Sequence, residues 1–151
     1  MRKIYIGADS AGYEYKVELI SYLTEKGYTV IDTGAENGLS GSHYPEYAMK
    51  VAKGVQDDLD GAFGILVCGT GIGMSMVANK YHGIRAAVCG DTFSARFTKM
   101  HNDANVLCLG ARVTGQGLAK DILDAYLNAE FEGGRHALRV EMMMDVEKTQ
   151  K

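Results

Sequence analysis

The residues with the clearest chemical potential lie near the middle of the chain, where a cysteine precedes a glycine-rich turn. The apolar run 65–67 ends at Cys68, and Gly69-Thr70-Gly71-Ile72-Gly73 follows at once. This pattern predicts a buried strand and then a turn that exposes backbone N–H groups at the start of a helix. Such groups bind anions, and their positive environment favours the thiolate form of a neighbouring cysteine. We therefore expect a reactive base beside an anion-binding turn.

The glycine-rich turn does not match the common nucleotide-binding motifs. Position 74 is methionine, so the G-x-G-x-x-G spacing is absent, and the chain has no G-x-x-x-x-G-K-[ST] sequence. A tight strand-to-helix crossover explains the glycines equally well. A free cysteine is often a small buried hydrophobe, and we expect this for Cys89 and Cys108. The position of Cys68 before the turn favours a ligand-facing role.

Two other polar residues lie next to predicted strands. Asp9 follows the first strand, where it either caps the next helix or contacts ligand hydroxyls. His101 precedes the fifth strand and is either a solvated turn residue, a helix C-cap or a general acid–base. The acid–base role needs a partner in space. His43 and His82 have no comparable context, so we assign them no function.

Three arginines are candidates for binding a phosphate. Arg112 follows the fifth strand, whereas Arg135 and Arg139 are four residues apart on one predicted helix face. A solvated basic face is one interpretation. The neighbouring glycines and the pairing also fit a clamp, because arginine binds phosphate in a bidentate manner.

The composition fits one compact domain over residues 1–151 and limits the classes of function. Of 151 residues, 46% are hydrophobic, and the formal net charge of −3 argues against a nucleic-acid partner. The three cysteines have no metal-ligand spacing and suggest no disulfide framework. No apolar stretch is long enough to form a signal-peptide core or to cross a membrane. We expect a cytoplasmic protein without a membrane partner.

Short β-rich runs alternate with amphipathic segments along the chain. The predicted strands cover residues 3–8, 28–32, 62–68, 85–89 and 106–109. The predicted helices cover residues 11–26, 45–56, 72–80, 92–100, 114–128 and 136–148. Pro45 suits a first helical turn, Asp91 or Thr92 suits the fourth N-cap and Thr114 suits the fifth. Residues 34–42 form the only long predicted loop.

This alternation predicts an α/β fold, a three-layer α/β/α sandwich with a five-stranded parallel sheet of Rossmann-like type. Ligands of such sheets bind beyond the carboxyl ends of the strands. Asp9, Cys68 and Arg112 follow predicted strands, so we expect a site at that edge.

Several segments, taken in order, carry a family resemblance. They are Gly7-Ala8-Asp9, Tyr44-Pro45, Cys68-Gly69-Thr70-Gly71-Ile72-Gly73, Ala78-Asn79-Lys80, Gly83-Ile84-Arg85-Ala86, His101-Asn102-Asp103-Ala104-Asn105, Glu132-Gly133-Gly134-Arg135-His136 and Arg139. Together they resemble the sugar-phosphate isomerases of the ribose-5-phosphate isomerase B type. That group also contains galactose-6-phosphate and allose-6-phosphate isomerases. The resemblance runs nearly from end to end.

The resemblance implies an aldose–ketose isomerase that acts through an enediolate without metal or cofactor. Cys68 corresponds to the base that moves a proton between C1 and C2, and His101 to the group that opens the sugar ring. The Thr70 hydroxyl lies near the reacting carbons. The residues implied to bind substrate are Asp9, Ser10, Tyr44, Gly69, Gly71, Ile72, Gly73, Asn102, Arg112, Arg135 and Arg139. The last three bind the phosphate, and a homodimer or homotetramer builds its sites from two subunits.

One departure from the family pattern concerns the substrate. Where the family has Asp-His after the first strand, this chain has Asp9-Ser10. Serine removes a long donor and opens space, so a sugar phosphate of another length or stereochemistry is an alternative to ribose 5-phosphate. Another alternative is a non-catalytic sugar-phosphate-binding subunit. A flavodoxin-like nucleotide-binding module is a third interpretation, for which the sequence offers no nucleotide contact.

Overall fold

A computed structural model describes residues 2–150 and contains one five-stranded sheet. The strands are β1 (Lys3–Ala8), β2 (Thr29–Asp32), β3 (Ala62–Cys68), β4 (Ala86–Val88) and β5 (Val106–Gly110). All pairs are parallel, in the order β2-β1-β3-β5-β4. Every residue of β3 is buried, as expected for a central strand covered on both faces. The predicted fold class is confirmed.

Six α-helices connect or follow the strands. They are α1 (Tyr13–Glu25), α2 (Tyr44–Gln56), α3 (Ile72–Ala78), α4 (Thr92–Asn102), α5 (Gln116–Leu127) and α6 (Arg135–Asp145). A 3₁₀ turn at Val146–Thr149 follows α6, so the last predicted helix ends earlier than expected. None of these helices is long and apolar enough to cross a bilayer.

Two hydrophobic clusters on opposite faces of the sheet make the three layers. Helices α1, α4 and α5 pack on one face, where Ile65 and Val67 of β3 point. Helices α2 and α3 pack on the other face, together with Leu66 and Cys68. Alternation along β3 therefore directs Cys68 toward α2 and α3.

The helix caps agree with the sequence in one case and differ in another. Asp91 caps α4, because its carboxylate accepts the N–H of Ser94 at 2.7 Å, and this bond lowers the Asp91 pKa. The predicted cap at Thr114 is wrong, since Gly115 occupies the N-cap of α5. Thr114 belongs to the turn after β5, where its N–H bonds the Gly110 carbonyl at 2.9 Å.

The order in which strands are added to the sheet reverses between β1 and β3. From β1 the chain moves outward to β2, whereas β3 lies on the other side of β1. Side chains that follow β1 and β3 therefore border a crevice at the carboxyl edge, where ligands of open parallel sheets bind. Gly12, which precedes α1, allows close approach there, because a Cβ at this position would lie 2.3 Å from the Val67 carbonyl oxygen.

Candidate active site

Cys68 is the last residue of β3 and lies under the glycine-rich turn. Its side chain is 5% exposed, and its Sγ accepts the backbone N–H of Gly71 at 3.1 Å. Gly71 has a φ of +78° and is the N-cap of α3. A backbone donor of the turn is therefore directed at the Cys68 sulfur.

The glycines of the turn allow two side chains to approach it. A Cβ at Gly73 would lie 2.7 Å from Cζ of Tyr44, so the tyrosine ring occupies the space beside this glycine. A Cβ at Gly69 would lie 3.5 Å from Nη1 of Arg112. The Arg112 N–H also bonds the Gly69 carbonyl at 3.0 Å. A phenol and a guanidinium thus border the turn next to Cys68.

The remaining turn residues are partly exposed. Thr70 lies at the surface of the turn, where its Oγ1 accepts the Ile72 N–H at 3.3 Å, and the Ile72 side chain is 49% exposed. Helix α3 is shorter than predicted, with seven residues. The backbone groups of the turn itself therefore carry more of the positive potential than the dipole of this helix.

Asp9 and Ser10 follow β1 at the same edge of the sheet. The Asp9 Oδ1 accepts the Gly12 N–H at 3.1 Å, so this carboxylate stabilises the turn that precedes α1. Ser10 donates its N–H to Ser42 Oγ at 2.7 Å, which ties the end of β1 to the long loop. Asp9 therefore does not cap α1, whose N-cap is Gly12 without a side-chain cap bond. Asp9 remains partly exposed at the crevice.

The second group of predicted residues lies at the opposite edge of the sheet. His101 and Asn102 end α4, shortly before β5 begins at Val106 opposite Gly64 of β3. Arg135 and Arg139 are exposed on α6. Glu132, just before α6, donates its N–H to the Met100 carbonyl at 3.0 Å. This segment therefore lies at the amino edge.

A strand of seven residues separates the two edges, a span of about 20 Å at 3.3 Å per residue. Within one chain the structure brings Asp9, Tyr44, Cys68 and Arg112 together. It does not bring His101, Asn102, Arg135 and Arg139 to them. Proximity to strand ends in the sequence located Asp9, Cys68 and Arg112. Helix α4 runs antiparallel to the strands and ends at the amino edge, where the segment before α6 joins it.

At the amino edge, His101 belongs to a cluster that the sequence analysis did not identify. Its ring stacks on His136 with centroids 4.0 Å apart and an interplanar angle of 9°. The Glu132 carboxylate faces both rings. Burial lowers the pKa of His136, and the positive charges of His101 and Arg135 act in the same direction. The available signal was the short separation of Glu132 and His136 in the chain, across Gly133 and Gly134, which precede α6.

Comparison with known proteins decides the family. The ribose/galactose isomerase family matches residues 4–143. Ribose-5-phosphate isomerase B of Escherichia coli is 48% identical over 149 residues, covering 98% of both chains. The chain belongs to the ribose/galactose isomerase family. It is a sugar-phosphate isomerase of the aldose–ketose type, as the resemblance implied.

Two further members of the family are similar over nearly the whole chain. D-erythrulose-4-phosphate isomerase of Pectobacterium atrosepticum is 47% identical over 151 residues, covering 100% of this chain and 99% of that protein. The crystal structure of Mycoplasma genitalium ribose-5-phosphate isomerase B with bound ribulose 5-phosphate superposes with a TM-score of 0.95. It is 36% identical and covers 98% of this chain and 97% of that one.

Proposed function

We propose that this isomerase interconverts ribose 5-phosphate and ribulose 5-phosphate in the cytoplasm. The observation that carries the proposal is the Cys68 sulfur, held under the N–H of Gly71 at the carboxyl edge of the sheet. The end-to-end similarity to ribose-5-phosphate isomerase B supports the choice of sugar. Phosphorylated sugars are retained inside cells by their charge, which supports the location.

In the proposed reaction, the Cys68 thiolate removes the proton from C2 of the open-chain aldose. The C1–C2 double bond forms, and the C1 oxygen becomes negatively charged and accepts a proton. The same thiol then delivers its proton to C1 while the C2 hydroxyl loses one, which gives the ketose. Backbone donors of residues 69–73 that are not already bonded within the turn, together with the Thr70 hydroxyl, stabilise the enediolate, and each such donor is worth about 3 kcal/mol of barrier.

We propose that the active site is completed by a second copy of the chain. His101, Asn102, Arg135 and Arg139 lie about 20 Å from Cys68 in one chain, so a two-fold axis is needed to bring one edge to the other. In a homodimer, His101 of the partner subunit opens the ring, and Asn102 contacts the substrate beside it. The three arginines, Arg112 from one subunit and Arg135 and Arg139 from its partner, hold the phosphate.

Exposed apolar side chains support an interface beside the site. Ile72 and Met76 on α3, Phe93 on α4, and Leu138 and Met142 on α6 are 49–64% exposed. Interfaces between subunits are enriched in such aromatic and methionine side chains. These apolar residues lie on the same helices as the two groups of site residues. A dimer that shares its sites would therefore bury them at the subunit interface.

A second substrate is favoured by a specific observation. Ser10 replaces the family histidine, and a relative named for D-erythrulose 4-phosphate is as similar as the ribose enzyme, at 47% against 48% identity. The Ser10 side chain is small, and its N–H is held by Ser42. A four-carbon sugar phosphate is therefore the second candidate, ahead of the galactose 6-phosphate and allose 6-phosphate alternatives.

The test is a comparison of kcat/KM for the purified protein with four sugar phosphates. They are ribose 5-phosphate, D-erythrulose 4-phosphate, galactose 6-phosphate and allose 6-phosphate. We expect ribose 5-phosphate to give the highest value, and a value more than about tenfold higher for another sugar would reassign the substrate. Binding of all four without turnover would instead identify a non-catalytic subunit.

A further inference from the structure

The cluster at the amino edge has the donor set of a transition-metal site. His101 comes from the last turn of α4, Glu132 from the segment before α6, and His136 from the first turn of α6. One potential ligand atom from each residue lies within 4.8 Å of the other two. Two imidazoles and one carboxylate are a frequent protein ligand set for zinc, with a fourth position left for water.

The distances in this cluster fit ligands around a metal better than hydrogen bonds. Glu132 Oε2 lies 3.7 Å from Nε2 of His101 and 3.3 Å from Nε2 of His136. Hydrogen bonds between nitrogen and oxygen are usually about 2.7–3.2 Å long. Ligand atoms that are each about 2.0–2.1 Å from a tetrahedral zinc are about 3.3 Å from one another. A metal ion lies close to the plane of each imidazole that binds it, so the two stacked rings must also turn toward each other before both nitrogen atoms can reach one ion.

Packing restrains both histidine rings. The edge of the Phe97 ring packs on His101, with centroids 4.8 Å apart, and the His136 side chain is 8% exposed. Glu132 is 43% and His101 34% exposed, so the ligand atoms remain accessible to an ion from solution. The packed histidines and the exposed carboxylate thus leave room for an ion and a water ligand on the solvent side.

The surrounding charges limit the affinity. The positive side chains of Arg135 and Arg139 act on His136, whereas Glu132 contributes the only negative charge among the three ligands. Two nearby guanidinium groups oppose the entry of a divalent cation. We therefore expect micromolar rather than nanomolar binding.

We propose that His101, Glu132 and His136 form a binding site for a zinc-class divalent metal ion, and that its occupation inhibits the isomerase. The inhibitory part rests on the proposed function, in which Nε2 of His101 opens the sugar ring. A metal on that nitrogen removes its acid–base capacity and leaves the base at Cys68 in place.

The test is a titration of the full-length protein with Co²⁺ and Zn²⁺ alone. Bound Co²⁺ is followed by the visible absorption of its tetrahedral complex, and Zn²⁺ by calorimetry, so neither measurement depends on activity. We expect one ion per chain. Glu132→Gln and His136→Asn should each weaken binding at least about tenfold. Since His136 is buried, Glu132→Gln, which changes a partly exposed side chain, guards against a folding artefact.

A surface pair in the same chain gives a matched control. His82 Nδ1 lies 3.5 Å from Glu147, which is one histidine with one carboxylate, and His82→Asn should leave both titrations unchanged. Absence of the cobalt band, or a band that survives Glu132→Gln and disappears in His82→Asn, would overturn the site. Metal binding at the three residues with unchanged turnover of the ring-closed substrate would retain the metal site. It would refute the proposed role of His101.

Discussion

The surroundings of the sulfur distinguish the three cysteines from one another. Burial raises the pKa of Cys89 to about 11, and complete burial raises the pKa of Cys108 as well. Within residues 2–150, Cys68 is the only one of the three cysteines whose sulfur accepts a backbone N–H. A directed donor stabilises a thiolate and apolar burial destabilises it, so we assign the chemistry to Cys68.

Replacing the Cys68 sulfur tests this assignment. Cys68→Ser nearly keeps the size of the side chain, but a hydroxyl is a far weaker acid than a thiol and supplies no anionic base near neutral pH. We expect kcat to fall on the order of 10²- to 10⁴-fold. KM should change little, because the phosphate contacts remain. Steady-state kinetics measure both values, and Cys89→Ala serves as the control. A kcat close to that of the unmodified protein would show that another group is the base.

The pKa of Cys89 predicts its chemical reactivity. A thiol alkylates as the thiolate, and a pKa raised from 9.0 to about 11 reduces the thiolate fraction at pH 8. We expect iodoacetamide to leave Cys89 unmodified at pH 8 in the folded protein, with the rate increasing toward pH 11. Mass spectrometry of peptides measures this, and urea-unfolded protein is the control. Fast labelling of Cys89 at pH 8 would contradict the burial shown here.

Part of the site could be predicted from residue types alone. Cys68 ends β3 and Arg112 lies just beyond the end of β5, and the parallel sheet brings these strand ends together at one edge. Glu132 and His136 could not be assigned in this way. Their contact with His101 depends on how α6 packs against α4, which no local pattern in the sequence encodes.

At the level of the elements, the connection between β3 and α3 depends on one backbone conformation. Gly71 has a φ of +78°, and a Cβ there would lie 3.0 Å from the Leu109 carbonyl carbon. We expect Gly71→Ala to destabilise the protein by at least about 1–2 kcal/mol, the cost of a left-handed backbone for an L-residue. Urea denaturation measures the change in the free energy of unfolding.

Gly117 is the matched control for this substitution. It lies in α5, and a Cβ there would meet nothing within 4 Å. Gly117→Ala should increase the free energy of unfolding by up to about 1 kcal/mol, because alanine favours a helix. Equal effects of the two substitutions on the free energy of unfolding would mean that the left-handed backbone at position 71 does not destabilise an alanine.

The elements themselves were largely predictable, whereas their ends were not. The spacing of apolar residues identified the five strands and six helices, because apolar residues recur wherever one side of an element is buried. The error at Thr114 arose because a threonine before a helix suits an N-cap, yet the turn after β5, in which the Thr114 N–H bonds the Gly110 carbonyl, places Gly115 at the N-cap. Local propensity does not include such competition from tertiary structure.

For the whole molecule, the proposed shared site can be tested by complementation. Each site of the proposed dimer combines Cys68 of one subunit with His101 of the other. A homodimer of Cys68→Ala or of His101→Asn therefore lacks one of these two residues in both of its sites. A mixed dimer from co-expression, purified through two different tags, carries one intact and one doubly altered site. We therefore expect about half of the activity of the unmodified dimer.

The two parent homodimers are the controls and should both be nearly inactive. A mixed dimer as inactive as its parents would mean that Cys68 and His101 act within one chain or in no common site. The unmodified dimer carrying both tags measures any loss that is due to the tags.

The distance between the two edges of the sheet also affects how the protein responds to dilution. If the site is shared as proposed, a lone chain has the thiol at one edge and the ring-opening histidine at the other, and we expect it to be inactive. Specific activity should consequently decline as the concentration falls below the level at which two chains remain associated. The concentration of the protein in the cell would then determine the activity of each chain.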